Sequence, residues 1–280
     1  MGHFKSLSKK KKIQRKIIIF LLEMILILII IKIIRTNYKI NEDKLIYLTY
    51  TYLGKAQKKE NNEKTIFKET EESTNQRSPT VYIYNTHQTE NYLYDKVNSY
   101  NLDYNVMFAS YILKEYLAKY NIISFVESTS IKNILNENNL TYKDSYKASR
   151  ILLEQSIINY PTLTYFIDLH RDSSVYEKTT CLIDNKSYAK ILFVLGLENK
   201  NYLENEKMIN SLNERLIKIN SCLSRGITKK SGVGVDGVYN QDFSSNAILI
   251  EVGGQYNTIT EVNNTLEIFA KILVEYIMEG

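Results

Sequence analysis

Residues 162–170 read TLTYFIDLH, an apolar run that ends on a histidine. Two other stretches are also apolar runs with a polar residue near the end. They are 80–87, TVYIYNTH, and 247–254, AILIEVGG, which carries Glu251 near its end. Short apolar runs that are rich in aromatic and β-branched residues are typical of buried strands. The sequence therefore predicts three buried strands, each with a polar side chain close to its carboxyl end.

Stretches with helical spacing of apolar residues lie between and after these strands. Helices are predicted over 104–120, 144–159, 202–224 and 258–278, with further strands at 122–127 and in a pair at 179–183 and 190–196. This alternation predicts a three-layer α/β fold, with a mostly parallel sheet and helices on both faces. In such folds functional groups collect at the carboxyl edge of the sheet, so the three polar strand ends are expected to converge.

The converging groups have the composition of a metal site. His87 and Glu90 form an H-x-x-E pair that can present both side chains to one ion, and His170 adds a third ligand from another strand. Two histidines and a glutamate with an open fourth position are a recurrent catalytic zinc arrangement, in which the metal acidifies a bound water. Glu251, on a separate strand, is predicted to move the proton of that water to a leaving amine.

Several neighbours remain alternatives within this site. Asp168 shares a strand face with His170 and could be a ligand or a partner of one. Asp172 could replace Glu90 as the third ligand, and Arg171 could hold a substrate carboxylate. A separate motif, Gly232, Gly234 and Gly237 in G-x-G-x-x-G spacing, lacks the strand before it and the helix after it that dinucleotide binding requires, and instead predicts a mobile loop beside the site.

The positive charge of the chain is concentrated at its amino end. Residues 1–39 hold ten Lys or Arg and one acid, whereas the remaining 241 residues hold 26 basic and 30 acidic side chains, which gives +9 and −4. A mildly acidic body disfavours nucleic-acid binding. Residues 17–34 are almost entirely apolar and follow a basic tail at 1–16, which predicts a single-pass membrane anchor with a cytoplasmic amino terminus.

The rest of the chain is predicted to lie outside the membrane. Residues 35–79 are an extracytoplasmic stalk and linker, because 55–79 are dense in charge and nearly free of apolar side chains. Residues 80–280 form one catalytic domain of usual size. Its two cysteines, Cys181 and Cys222, lie in unrelated segments and are expected to be ordinary buried or half-buried thiols.

Four segments together resemble the stage II sporulation protein P family of endospore-forming bacteria. They are IYNTHQTENY at 83–92, DLHRDS at 168–173, FVLGLENKNY at 193–202 and VYNQDFSSNAILIEVGGQYNTITEV at 238–262. The resemblance spans about residues 80–280. The family usually has His-Thr-His where this chain has Asn85-Thr86-His87, which favours His87 as the working ligand.

The resemblance implies a membrane-anchored zinc hydrolase with a fold like that of N-acetylmuramoyl-L-alanine amidases and zinc carboxypeptidases. It implies amidase and cross-link endopeptidase activity on peptidoglycan during engulfment, with stage II sporulation proteins D and M as partners. Carried over by residue, His87, Glu90 and His170 match the metal ligands and Glu251 the catalytic acid/base. Two alternatives remain: an anchored metallocarboxypeptidase acting on soluble peptides, and a non-catalytic wall-binding scaffold.

Overall fold

The structure is a computed structural model, and it describes residues 80–93 and 104–279. The predicted tail at 1–16, anchor at 17–34 and linker at 35–79 lie outside the described residues. Within the described part of the chain, no helix has both the length and the apolar character that crossing a membrane requires.

Eight strands and six α-helices make up the described domain. In chain order they are β1 (Val81–Tyr84), α1 (Val106–Lys119), β2 (Ser124–Val126), α2 (Ile131–Glu137), α3 (Ser145–Asn159), β3 (Tyr165–Asp172), α4 (Tyr176–Thr179), β4 (Thr180–Ile183), β5 (Lys186–Ala189), β6 (Ile191–Gly196), α5 (Tyr202–Ile219), β7 (Ser224–Lys230), β8 (Ala247–Gly254) and α6 (Ile259–Glu279). Six of the strands form one sheet in the order β2-β1-β3-β8-β6-β7. Only the β6–β8 pair in it is antiparallel, which confirms the predicted mixed α/β class with a mostly parallel sheet.

Helices cover both faces of this sheet. Successive side chains of a strand point to opposite faces. Tyr82 and Tyr84 pack with Phe166 of β3 and Leu153 of α3 on one face. Val81 and Ile83 point to the other face and are fully buried, and α1 contacts β1, β2 and β3. The core therefore lies on both faces of the central strands.

The predicted strand pair is wrong in its partners. Both segments form strands, but β4 pairs with β5, whereas β6 joins the main sheet beside β7 and β8. Asp184 and Asn185 have φ angles of 48° and 62°, the left-handed conformation of a tight two-residue hairpin turn. That turn reverses the chain after Ile183, so β4 pairs with β5, the strand that follows it directly.

The predicted helix over 202–224 ends early. Helix α5 stops at Ile219 because Asn220 takes an extended conformation, with a φ of −163°, and its side chain accepts a hydrogen bond from the backbone N–H of Cys222. Strand β7 then runs directly up to the glycine-rich segment, so the expectation that no strand precedes Gly232 is also wrong. No α-helix begins directly after that segment; a short 3₁₀ turn at Gln241–Phe243 and then β8 follow it.

A disulfide joins Cys181 of β4 to Cys222. The expectation of two ordinary thiols is therefore wrong. The two residues are 41 positions apart in the chain, and sequence spacing alone does not show that the β4–β5 hairpin folds against the segment just before β7.

Candidate metal centre

Three strand ends build the candidate site. His87 lies in the turn that follows β1, and the backbone N–H of Glu90 closes this turn on the His87 carbonyl at 3.2 Å. His170 and Glu251 face each other in the β3–β8 register. Because β1, β3 and β8 are parallel, all these side chains emerge at the same edge of the sheet, as the sequence predicted.

The two histidines and Glu90 form one compact cluster. Ligand atoms of His87, Glu90 and His170 all lie within 4.8 Å of one another. The Glu90 carboxylate bridges the imidazoles, with Oε1 at 3.5 Å from His87 Nδ1 and Oε2 at 3.3 Å from His170 Nδ1. The backbone N–H of Arg171 also donates to Glu90 Oε2 at 3.0 Å, which fixes the orientation of the carboxylate.

Asp168 supports His170 from the buried side. Its carboxylate is fully buried and accepts hydrogen bonds from the Thr86 N–H at 2.9 Å and the Thr86 hydroxyl at 2.7 Å. Oδ1 also lies 2.9 Å from His170 Nε2, although this contact lacks the alignment of a hydrogen bond and leaves the nitrogen without a partner. Asp168 therefore lies behind the imidazole ring, in the position of a carboxylate that orients a metal-binding histidine.

The other alternative ligand is held elsewhere. Asp172 forms an ion pair with Arg225 of β7 and accepts a hydrogen bond from the Ser174 N–H at 3.0 Å. The guanidinium of Arg171 donates to the carbonyls of Asn91 and Asp172, at 3.0 and 3.3 Å. Glu90 is therefore the carboxylate that the structure brings together with the two histidines.

Charges in the cluster alter its proton affinities. Burial by itself lowers the pKa of His170, but Asp168 and Glu90 outweigh burial and raise this pKa well above its usual value. Burial acts to raise the pKa of Glu90, and hydrogen bonds from His170, His87 and the Arg171 N–H bring it well below its usual range. The metal-free site therefore favours a protonated His170 beside an ionised Glu90.

Glu251 has a different environment. It is half-buried, and its carboxylate has no hydrogen bond or ion pair with any described residue. Burial, with the negative charge of Asp172, raises the pKa of Glu251 to about 7. A carboxyl group with a pKa near neutrality beside a candidate metal site has the properties of a general acid/base.

Asn85 occupies the position of the additional family histidine. Its amide donates to the carbonyls of Leu169 and Val106, and its Oδ1 accepts from the Ser110 hydroxyl at 3.0 Å. Asn85 is thus part of a buried hydrogen-bond network between β3 and α1, which engages both its amide group and its carbonyl oxygen.

Sequence reasoning missed two groups of residues around the cluster. Arg225 lies on β7, a strand that the sequence did not predict, so nothing placed it near Asp172. Tyr142 and Tyr146 contact His87, with ring centroids 5.3 and 5.7 Å away. Nothing in the spacing of these tyrosines distinguishes them from the other tyrosines of a chain that contains 23.

The described domain is thus a mixed α/β protein with a His-Glu-His cluster of metal-binding composition at the carboxyl edge of its sheet. A family model, Stage II sporulation protein P (SpoIIP), matches residues 35–274. The chain belongs to this family. The match begins before residue 80, where the sequence resemblance was expected to start.

A curated relative and several solved structures are also similar to the chain. Stage II sporulation protein P of Bacillus subtilis is 32% identical over 229 residues, which are 80% of this chain and 57% of the relative. The chain therefore spans little more than half the length of that relative. The CwlD amidase of Clostridioides difficile, solved in complex with the GerS lipoprotein, is 13% identical, with a TM-score of 0.43 over 72% of this chain and 100% of that chain. A metallo-carboxypeptidase from Burkholderia cenocepacia is 10% identical, with a TM-score of 0.41 over 75% of this chain and 60% of that chain.

Proposed function

We propose that the chain is a membrane-anchored, zinc-dependent N-acetylmuramoyl-L-alanine amidase that cuts peptidoglycan during sporulation, and that it also cleaves peptide cross-links. The observation that carries this proposal is the cluster of His87, Glu90 and His170 with Glu251 beside it in register. Membership of the stage II sporulation protein P family supports the substrate and the setting.

The donor set suits zinc. Two imidazoles and one carboxylate within reach of a common ion are a frequent catalytic zinc set, and Asp168 behind His170 supplies the usual supporting carboxylate. A bound zinc ion would polarise the scissile carbonyl and lower the pKa of a bound water. His87, Glu90 and His170 would hold that ion.

Glu251 would move the proton. Its carboxylate has no hydrogen-bond partner among the described residues and a pKa of about 7, so it can accept a proton from the attacking water near neutral pH. It would then donate this proton to the departing amine. Arg171, whose guanidinium lies at the rim of the cluster on the Asn91 carbonyl, would hold a carboxylate of the stem peptide.

The disulfide supports a location outside the cytoplasm. Disulfides persist in oxidising compartments and are rare in the cytosol. The Cys181–Cys222 bond therefore agrees with an anchor at 17–34 and a linker at 35–79 that hold the 80–280 domain on the outer side of the membrane. Association with stage II sporulation proteins D and M stays a prediction.

Digestion of purified sacculi tests the proposed function. The full chain should release stem peptides with a new free amine on their first alanine. Glu251→Gln should lower this rate at least about 100-fold, because general acid/base catalysis contributes that much or more, and zinc should stay bound. Glu115→Gln, an exposed glutamate on α1, is the matched control and should leave the rate unchanged.

Two outcomes would favour the alternatives. Hydrolysis of free peptides with intact sacculi left uncut would indicate a metallocarboxypeptidase. Retention on sacculi by a protein that carries no zinc and releases no peptide would indicate a wall-binding scaffold.

A further inference from the structure

An aromatic surface borders the candidate metal centre on the side of His87. The ring of Tyr142 stacks on the His87 imidazole, with centroids 5.3 Å apart and planes 21° apart, and yet Tyr142 is 63% exposed. Tyr146 meets the same imidazole edge-on, and Tyr239 meets Tyr146 edge-on at 5.3 Å. We refer to Tyr142, Tyr146 and Tyr239 as the tyrosine wall.

The wall is held in place by an unusual backbone. Tyr239 and Asn240 are consecutive non-glycine residues with φ angles of 53° and 55°. A bulky residue rarely adopts this left-handed conformation, and such positions cluster at functional sites. The amide of Asn240 donates to the Tyr146 carbonyl and to the Ser149 hydroxyl, both at 2.9 Å, and so ties the loop that carries Tyr239 to α3.

The wall offers a flat, uncharged face. One face of Tyr142 is used by His87, so its other face is open to solvent. In the described structure, the hydrogen bonds of the Arg171 guanidinium go to the carbonyls of Asn91 and Asp172, and Arg225 pairs with the Asp172 carboxylate, so neither arginine bonds to a tyrosine of the wall. A ligand at the wall is therefore recognised by its shape and its apolar surface.

We propose that the exposed face of Tyr142, within the tyrosine wall, is a subsite for a pyranose ring of the glycan strand. This inference rests on the proposed function. The amide bond that an amidase cuts joins the first amino acid of the stem peptide to a lactyl group, and the lactyl group places the sugar ring within a few bonds of the reacting carbonyl. The Tyr142 ring stacks directly on His87, a ligand of the candidate metal site. A sugar ring on the open face of Tyr142 would therefore lie at a similar short separation from that site. The C–H face of a pyranose is flat and apolar, whereas the stem peptide is flexible and anionic.

Binding of peptide-free glycan strands tests the subsite without catalysis. The probe is titrated into the metal-free full chain and followed by calorimetry. Tyr142→Ala should weaken binding by up to about tenfold, the range of one aromatic contact, and Tyr142→Phe should bind like the unchanged chain because stacking needs no hydroxyl. Tyr120→Ala, at an exposed tyrosine that caps α1 at the opposite edge of the sheet, is the matched control and should have no effect. Equal binding by Tyr142→Ala and the unchanged chain would overturn the proposal, as would equal weakening by the Phe and Ala variants.

Kinetics with two substrates distinguish recognition of the sugar by Tyr142 from a purely structural role in which Tyr142 holds His87 in place. Tyr142→Ala should raise KM for a disaccharide-peptide by a larger factor than it lowers kcat/KM for a sugar-free lactyl-peptide. Equal loss on both substrates, together with loss of zinc, would mean that Tyr142 only steadies His87, and would overturn the subsite. Should the unchanged chain cut neither substrate but still bind the glycan, the proposed hydrolase function would fail while the subsite stands.

Discussion

At the scale of single residues, His170 is the side chain around which the site is arranged. Glu90 lies at its Nδ1, Asp168 at its Nε2, and the ring of His87 approaches it edge-on with centroids 5.2 Å apart. Both carboxylates favour a positive charge on the imidazole. In the metal-free protein that charge is a proton, and a metal ion would replace it.

This exchange predicts that metal affinity depends on pH. The pKa of His170 in the metal-free site is raised well above its usual value, so zinc must displace a proton at neutral pH. We expect the apparent Kd for zinc to rise as pH falls from 8 to 6, because a proton on His170 competes with the metal ion. Competition with a chelator of known pH dependence measures this. A Kd that stays constant over that range would contradict the assignment.

The role of Asp168 can be tested by removing its charge alone. Asp168→Asn keeps the size of the side chain and a carbonyl oxygen for the Thr86 N–H, but it no longer stabilises a cationic or metal-bound His170. We expect zinc affinity to fall about 10–100-fold, the usual effect of losing such a supporting carboxylate. Asp184→Asn, in the turn of the β4–β5 hairpin, should leave the affinity unchanged. Unaltered zinc binding by Asp168→Asn would show that Asp168 only holds the Thr86 turn.

At the scale of secondary structure elements, the strands that carry the site were predictable and those beyond it were not. β1, β3 and β8 are buried on both faces, so each is a continuous apolar run that the sequence displays directly. β7 lies at the edge of the sheet and is mostly half-buried. Its basic residues Arg225, Lys229 and Lys230 leave no continuous apolar run that would mark it as a strand in the sequence. Because β7 was not predicted, the position of Arg225 was not predicted either.

The candidate site was likewise only partly predictable from the sequence. His87, Glu90 and His170 could be placed together because parallel strands end at one edge. The tyrosine wall and the disulfide depend on contacts between segments that are distant in the chain, such as α3 with the loop before β8 and β4 with Cys222. Local patterns carry no information about these contacts.

The disulfide should stabilise the domain by restricting its unfolded state. A cross-link that closes a loop of 41 positions gives about 4 kcal/mol in the chain-entropy model. We expect the double variant Cys181→Ser, Cys222→Ser to lose about 3–4 kcal/mol of unfolding free energy in urea melts. Reductant should lower the stability of the unchanged chain to a similar extent and leave the double variant unaffected. A reductant effect of equal size on both would show that it acts elsewhere.

Packing on the sheet can be tested within one helix. Leu153 and Ile158 both lie on α3, but Leu153 is fully buried against Tyr82 and Phe166, whereas Ile158 is 77% exposed. We expect Leu153→Ala to cost about 2–5 kcal/mol of unfolding free energy. Ile158→Ala should stay within about 0.5 kcal/mol of the unchanged chain. Similar costs for the two variants in denaturant melts would contradict the placement of α3.

At the scale of the whole molecule, charge and chemistry are divided along the chain. The amino-terminal 39 residues carry +9 and the remainder −4, so the basic end suits a cytoplasmic membrane surface and the acidic body does not. The cluster, Glu251 and the tyrosine wall all lie in the 80–280 segment. In the proposed function, the anchor and linker keep that segment close to an insoluble substrate.

The metal content of the purified full chain tests the central claim most directly. Elemental analysis should find about one zinc ion per chain in the unchanged protein, and far less in His170→Ala. His3→Ala, the remaining histidine and far from the site in sequence, is the matched control and should keep the full content. An unchanged protein without zinc after purification in zinc-containing buffer, or a His170→Ala variant that retains all of it, would contradict the metal centre.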